Sequence, residues 1–200
     1  TDDTVTKEKT VTANNIPTKD VAEDEAMKKK FAYVDEKSKA YSNEIVGEVT
    51  ETFIKNPDFI TGAKEITTMP TAQLMETPVL ELINEVQQHF AKSDVSSAAL
   101  FNFGSNLEKG PFKRKDVAFI YKYTNTLMGV NITGENLLKY MEWSADYYNQ
   151  LMPGDLTISF DENVRGYNYD MFYGIDYKID ITKSKGKRIV DAKINGKPVD

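Results

Sequence analysis

Apolar residues recur at helical spacing from Asp24 to Val46, where Met27, Phe31, Val34, Tyr41 and Ile45 share one face and Ser38 is the exception. Lysine and glutamate fill the opposite face, so a helix is predicted over 24–46. Residues 45–54, IVGEVTETFI, turn to β-branched side chains and predict a strand. Asn56-Pro57 and Thr61-Gly62 punctuate a loop. Thr77-Pro78 opens a second helix, because threonine can cap free N–H groups and proline fits the first helical position. Its apolar stripe is Val79, Leu82, Ile83, Val86 and Phe90. SSAALFNF (96–103) predicts a buried strand that runs into a Gly/Ser/Asn loop. A short helix is expected over 115–121 and a further strand over 126–132, TLMGVNI. Thr133 then caps a helix whose inner face is Leu137, Leu138, Met141, Ala145 and Tyr148.

Beyond Pro153-Gly154 the pattern becomes β. LTISFD is a short strand. From Met171 to Ile181 the alternation is strict: Met171, Tyr173, Ile175, Tyr177, Ile179 and Ile181 face the core, and Phe172, Asp176, Lys178 and Asp180 face solvent. Val190, Ala192 and Ile194 make another strand, and Asn195-Gly196 after it is a strong hairpin signal. Lys197-Pro198-Val199-Asp200 begins a return strand that the sequence leaves unfinished. Residues 1–23 are polar and read as a linker or disordered arm. The expected fold is α+β, with mixed curved sheets and helices layered outside.

Composition narrows the chemistry. The 200-residue chain is 40% apolar and 28% charged, which suits a globular domain with an arm. Its net charge of −6 argues against a domain that wraps polymeric nucleic acid. There is no cysteine, so disulfides, thiolate ligands and cysteine nucleophiles are excluded. One histidine, His89, cannot supply a metal site built from several imidazoles. No run is long and apolar enough for a membrane helix. His89 reads as a surface residue in the last turn of its helix. Lys183, Lys185, Lys187 and Arg188 around Gly186 read as a solvated turn, and Trp143 lies off the inner stripe of its helix.

Two aromatic–amide clusters are candidates for holding a flat ligand. In YKYTNT (121–126), Tyr123 offers a ring face and Asn125 a donor and an acceptor for the edge of a base. In RGYNYD (165–170), Tyr167, Asn168 and Asp170 precede the regular alternation in a loop, where function concentrates.

These residues carry a resemblance. TPVLELINEVQ, SSAALFN, KDVAFIYKYTNTLMGVNITGENLLKYMEWSADYYNQ, GYNYDMFYGIDYKIDIT and KINGKPVD resemble the C-terminal domain of the 5′-nucleotidase family, and within it the bacterial 2′,3′-cyclic-nucleotide 2′-phosphodiesterase/3′-nucleotidases. The resemblance covers roughly residues 25–200. It implies a nucleotide- or nucleoside-binding domain of a secreted, extracellular or cell-wall-associated phosphoesterase, not catalytic alone. Two divalent metal ions and the attack on phosphorus are implied for an N-terminal metallophosphoesterase domain outside this chain. It implies that Tyr123 stacks the base, that Asn125 bonds its edge, and that Asn102 lies in a substrate-facing loop. Tyr167, Asn168 and Asp170 match a Tyr–Asn–aromatic–Asp segment. The helix over 24–46 corresponds to the one joining the two domains, and residues 47–200 to the binding domain with its last part and second stacking aromatic missing. The alternative is a cell-surface interaction module that keeps the fold without enzymatic work. A self-contained hydrolase using Asp170 and Asp176 is disfavoured, since Asp176 lies on the expected solvated face and lacks a partner carboxylate.

Overall fold

The computed structural model describes residues 4–7 and 9–199. Residues 1–3 and 8 of the expected arm and Asp200 of the expected return strand lie outside the described residues. The chain divides into two compact units, Thr1–Tyr41 and Ser42–Asp200.

In the first unit the predicted helix forms as α1, Glu25–Ser42. Asp24 caps it, its Oδ1 accepting from the N–H groups of Ala26 and Met27. The stripe of Met27, Phe31, Val34 and Tyr41 is exposed, and Ile45 lies beyond the helix in a strand. The helix is therefore supported locally, by its cap and by pairs such as Lys39–Asp35 at 2.6 Å.

The second unit is α+β, as the pattern predicted. Its sheets are small and antiparallel. β1 (Ile45–Val49) pairs with β3 (Gly110–Lys113), and β2 (Ser96–Ala98) pairs with β4 (Met171–Tyr173). β5 (Asp176–Ile179), β6 (Ile189–Ile194) and β7 (Lys197–Pro198) form the third sheet in that order. The hairpin signal is confirmed: Asn195 and Gly196 both take positive φ, 51° and 76°, as a tight turn between twisted strands requires.

The helices are α2 (Pro78–Ala91), α3 (Arg114–Ile120) and α4 (Gly134–Ala145). Thr133 caps α4 as expected, its Oγ1 accepting from Asn136 N–H at 3.3 Å. Thr77 does not cap α2 through its hydroxyl, which is buried without a hydrogen-bond partner. The buried residues of α2 are Val79, Leu80, Ile83 and Asn84, whereas Val86 and Phe90 of the predicted stripe are exposed. α2 packs on β2 and β4, each only three residues long. Three strand residues cover about 10 Å, roughly two helical turns, so the last part of α2 has no sheet beneath it.

Other expectations need correction for the same kind of reason. The strand over 45–54 stops at Val49, and that over 96–103 stops at Ala98. LTISFD contributes only an isolated bridge, Tyr148 to Phe160. Residues 126–132 form no strand, because no neighbouring strand pairs with them among the described residues, and Leu127, Met128, Val130 and Ile132 are exposed. The alternation from Met171 to Ile181 breaks at Gly174, whose φ is 82°. β4 and β5 consequently belong to different sheets, and Phe172, expected to face solvent, is only 3% exposed. Gly174 is required there for a second reason. A Cβ on it would lie 2.3 Å from the Asp94 carbonyl oxygen, which also accepts from Gln88 Nε2 at 2.9 Å.

Two polar devices hold the second unit. The buried Asp58 carboxylate closes the loop before α2. It accepts from the hydroxyls of Thr67 and Thr68 and from the N–H groups of Ile60, Thr61, Thr67 and Thr68. The Thr68 hydroxyl and these N–H groups hold its carboxyl well below the usual carboxylate range. At the other end, α4 is laced to its neighbours by its polar residues. Tyr140 donates to Asp170, and Ser144 Oγ donates to the Asp170 carbonyl at 2.7 Å. The Glu142 carboxylate accepts from the N–H groups of Arg188 (2.9 Å) and Ile189 (2.7 Å). Arg188, read from the sequence as part of a solvated turn, is 0% exposed. Its Nη1 donates to the carbonyls of Ala145 (2.9 Å) and Tyr148 (2.8 Å), where the end of α4 leaves acceptors unpaired.

Between these devices lies an aromatic core. Tyr147 stacks on Tyr169 at 4.8 Å and 14°, Tyr148 donates to the Tyr169 hydroxyl at 2.7 Å, and Phe160 packs on both Tyr147 and Tyr148. Leu80, Leu100, Leu107 and Met171 surround it. A second apolar cluster of Leu137, Met141, Phe172 and Ile175 joins α4 to β4 and the segment after it. Burial raises the phenols of Tyr140, Tyr148 and Tyr177 to about 12, and that of Tyr169 well above its ordinary value.

Two outcomes are expected. Gly174→Ala should destabilise the protein by more than about 1 kcal/mol, measured as a lower urea midpoint at unchanged slope. Because the folded pKa values of the buried phenols are raised, their stabilising contribution is complete below pH ~10 and is lost as pH rises toward about 12. An alkaline ultraviolet titration followed alongside circular dichroism checks this. The buried group should ionise together with loss of near-ultraviolet circular dichroism.

Candidate functional site

The loop after β2 brings two separated parts of the sequence together. Phe101 packs edge to face on Tyr123, with ring centroids 4.9 Å apart, and on Tyr121 at 5.4 Å. Phe103, two residues on, lies against Gly166, where an added Cβ would meet its ring at 2.8 Å. Only glycine lets the 165–168 turn approach that ring so closely. Phe103 also leans on Tyr147 in the core, which anchors the loop from below.

At the Phe101 end the surface is open. Tyr123 is 49% exposed and Phe101 40% exposed, so both rings offer apolar area to solvent. Asn125 is exposed, and its Nδ2 donates to the Tyr121 hydroxyl at 2.9 Å. That bond fixes the amide and leaves its carbonyl oxygen and second N–H for a ligand. Lys122 Nζ stands 5.3 Å from the centroid of the Tyr123 ring. Asn102 lies in the same loop, exposed, with its Oδ1 accepting from Gly104 N–H at 2.9 Å. This bond shapes the turn that carries Phe101 and Phe103.

The expected site residues therefore fall in three places. Tyr123 touches Phe101, Asn125 bonds Tyr121 beside it, and Asn102 follows Phe101 in its loop. Tyr167 and Asn168 lie in the short 3-10 turn Gly166–Asn168, with Tyr167 exposed and Asn168 half-buried. Asp170 faces α4 rather than this loop: its carboxylate accepts from Tyr140, and burial raises its carboxyl above the ordinary value. Phe101, Phe103, Tyr121 and Lys122 were not singled out by sequence. Two signals pointed to them: the Phe-Asn-Phe triplet at a strand end, and the Tyr-Lys-Tyr triplet ahead of Asn125.

No helix is long and apolar enough to cross a membrane among the described residues. Among those residues no group of three or more His, Asp and Glu side chains could hold a metal ion, and His89 rests edge-on against Phe90.

The chain is 28% identical over 162 residues to the trifunctional nucleotide phosphoesterase protein YfkN of Bacillus subtilis, covering 64% of this chain and 11% of that protein. It is 29% identical over 167 residues to the 2′,3′-cyclic-nucleotide 2′-phosphodiesterase/3′-nucleotidase of Salmonella typhimurium, covering 64% of this chain and 26% of that one. The Haemophilus influenzae protein of the same name is 27% identical over 191 residues, with coverage of 78% and 29%. The chain thus spans well under a third of the length of these curated relatives. In fold it is similar to a 5′-nucleotidase structure from Staphylococcus aureus, solved in complex with alpha-ketoglutarate. The TM-score is 0.72 at 21% identity, over 90% of this chain and 32% of that one. A 5′-nucleotidase precursor from Thermus thermophilus gives a TM-score of 0.58 at 16% identity, over 84% and 28%. The family model described as 5′-nucleotidase, C-terminal domain, matches residues 52–200, and the chain belongs to that family of phosphoesterase C-terminal domains.

Proposed function

We propose that this domain holds a nucleoside or nucleotide for a secreted phosphoesterase and is not catalytic by itself. The observation that carries the reading is the Phe101–Tyr123 pair: two aromatic rings in contact, both open to solvent, with a braced amide beside them. A purine or pyrimidine would lie against Tyr123, because base–aromatic stacking is worth about 1–3 kcal/mol and every base has a π-face. Asn125 would meet the edge of the base with its free carbonyl oxygen and remaining N–H. Lys122, beside the ring, would favour the negative charge of a phosphate over an uncharged nucleoside. Asn102 would set the loop that presents Phe101. Tyr167 and Asn168 would border the ligand through the Phe103–Gly166 contact, and Asp170 would act by holding α4 in place.

The names of the relatives support phosphate esters of nucleosides as the substrate class. We assign opening of the ester to two divalent ions in a separate metallophosphoesterase domain, as the resemblance to the 5′-nucleotidase family implies. The part played here is to bind and orient the substrate, which lowers the entropic cost of the reaction. A secreted or cell-wall location belongs to the same proposal. The cysteine-free composition suits an oxidising compartment, where a free thiol would be a liability.

Titration of ¹⁵N-labelled protein with adenosine and 3′-AMP tests this. Saturable amide shifts are expected at residues 101–104 and 121–126, with 3′-AMP binding more tightly than adenosine at low salt. Tyr123→Ala should weaken binding at least about fivefold, and Phe101→Ala should also weaken it. Lys122→Ala should remove the preference for 3′-AMP. Absence of any saturable shift at millimolar ligand would sink the proposal.

A further inference from the structure

The outer face of α4 carries a cavity that the nucleotide reading does not use. It measures about 540 Å³, and Trp143, Leu138 and Ile189 supply its apolar walls. Trp143 is the chain's sole tryptophan and is 53% exposed. One side of the indole is set by Tyr140, stacked at 6.1 Å and 30°. Tyr140 is itself fixed by Asp170, so the indole is held at a defined angle rather than free on the surface.

The polar lining of this cavity is three carboxylates, Glu135, Glu142 and Asp146, and one ammonium, Lys139. Glu135 is neutralised by Lys139 at 2.7 Å. The Glu142 carboxylate is held by the N–H groups of Arg188 and Ile189. Asp146 has an oxygen, Oδ1, that is shielded from solvent and accepts no hydrogen bond. The residue as a whole is partly exposed and lines the cavity. Of the cations near this helix end, Lys139 is tied to Glu135, and Arg188 donates to the carbonyls of Ala145, Tyr148 and Lys183. Neither is among the cations recorded over an aromatic ring among the described residues.

From this combination we infer that the cavity between α4 and the Gly186 turn binds an organic cation with a diffuse charge, of the quaternary ammonium type, with Trp143 as its aromatic wall and Asp146 as its counter-charge. A quaternary ammonium is attracted to the face of an indole and is too weakly hydrated to resist leaving water. It needs no directed hydrogen bond, so a cavity walled by one ring, two aliphatic side chains and acidic groups suits it. An inorganic cation would instead demand several oxygen ligands around it.

Trp143 makes the site self-reporting. The full chain would be titrated with tetramethylammonium and choline while tryptophan emission is followed, against sodium chloride at the same ionic strength. A saturable change with both ammonium ions and none with sodium is expected. Asp146→Asn should weaken the response about tenfold while leaving the thermal midpoint near its original value. If that variant does not fold, Trp143→Leu read by amide shifts at Leu138 and Ile189 gives the same test, with the shifts expected to vanish. Phosphatidylcholine vesicles distinguish the source of the ligand. Co-sedimentation that Trp143→Leu abolishes, with little response to choline, assigns the site to a lipid headgroup, and the reverse assigns it to a free small molecule. No saturable response to either ammonium ion and no vesicle binding would overturn the inference, as would an undiminished response in Asp146→Asn.

Discussion

The second unit depends on how the C-terminal end of α4 is closed. A helix ends with carbonyls that have lost their partners, and here they are buried. The Arg188 guanidinium satisfies those of Ala145 and Tyr148, and the Glu142 carboxylate collects the main-chain N–H groups on either side of the Arg188–Ile189 bond. The two charges act through the backbone more than on each other. Each removes an unpaired main-chain group that would otherwise be expensive to bury. The same helix holds Asp170 through Tyr140 and Ser144. One helix thereby sets the position of β4, of β6 and of the tyrosine core beneath them.

This arrangement explains a division within the sequence signature. The residues that make LLKYMEWSA and YNYD recognisable, Tyr140, Glu142, Ser144 and Asp170, are used to lace elements together. The residues suited to meeting a ligand lie instead in short irregular stretches: Phe101 and Asn102 after β2, Tyr123 and Asn125 after α3. Those stretches are positioned by the laced frame through Phe103, which touches both the tyrosine core and Gly166. A signature can identify a family through its scaffold while the surface proposed for a ligand sits beside it.

What the sequence disclosed follows the range of each interaction. Thr133, Pro78 and Asn195-Gly196 act on their near neighbours, and the helices and the hairpin they imply are present. The buried role of Arg188 depends on a helix end some forty residues away, and nothing in the lysine-rich run around it reveals that. Phe172 follows the alternation until Gly174 turns the chain into another sheet, a break imposed by the Asp94 carbonyl at 2.3 Å from a would-be side chain. The stretch 126–132 has the composition of a strand, but composition does not supply a partner. At the candidate site, Tyr123 and Asn125 stood out because a ring and an amide lie side by side in the chain. Phe101 did not, because its neighbour Tyr123 is remote in sequence.

The small sheets also bear on the order of assembly. The β6–β7 hairpin closes over a two-residue turn, whereas β2 and β4 meet from positions about seventy residues apart. Closing so long a loop costs entropy before any contact rewards it, and three-residue strands return few contacts when it closes. The hairpin and α4 are therefore natural early structures. The β2–β4 ladder, which carries the Phe101–Phe103 loop on one of its ends, is the costlier of the two to close. Since synthesis runs from the N-terminus, β2 must wait on the ribosome for a partner made much later, and during that wait the aromatic residues beside it are open to any helper or aggregate that meets them first.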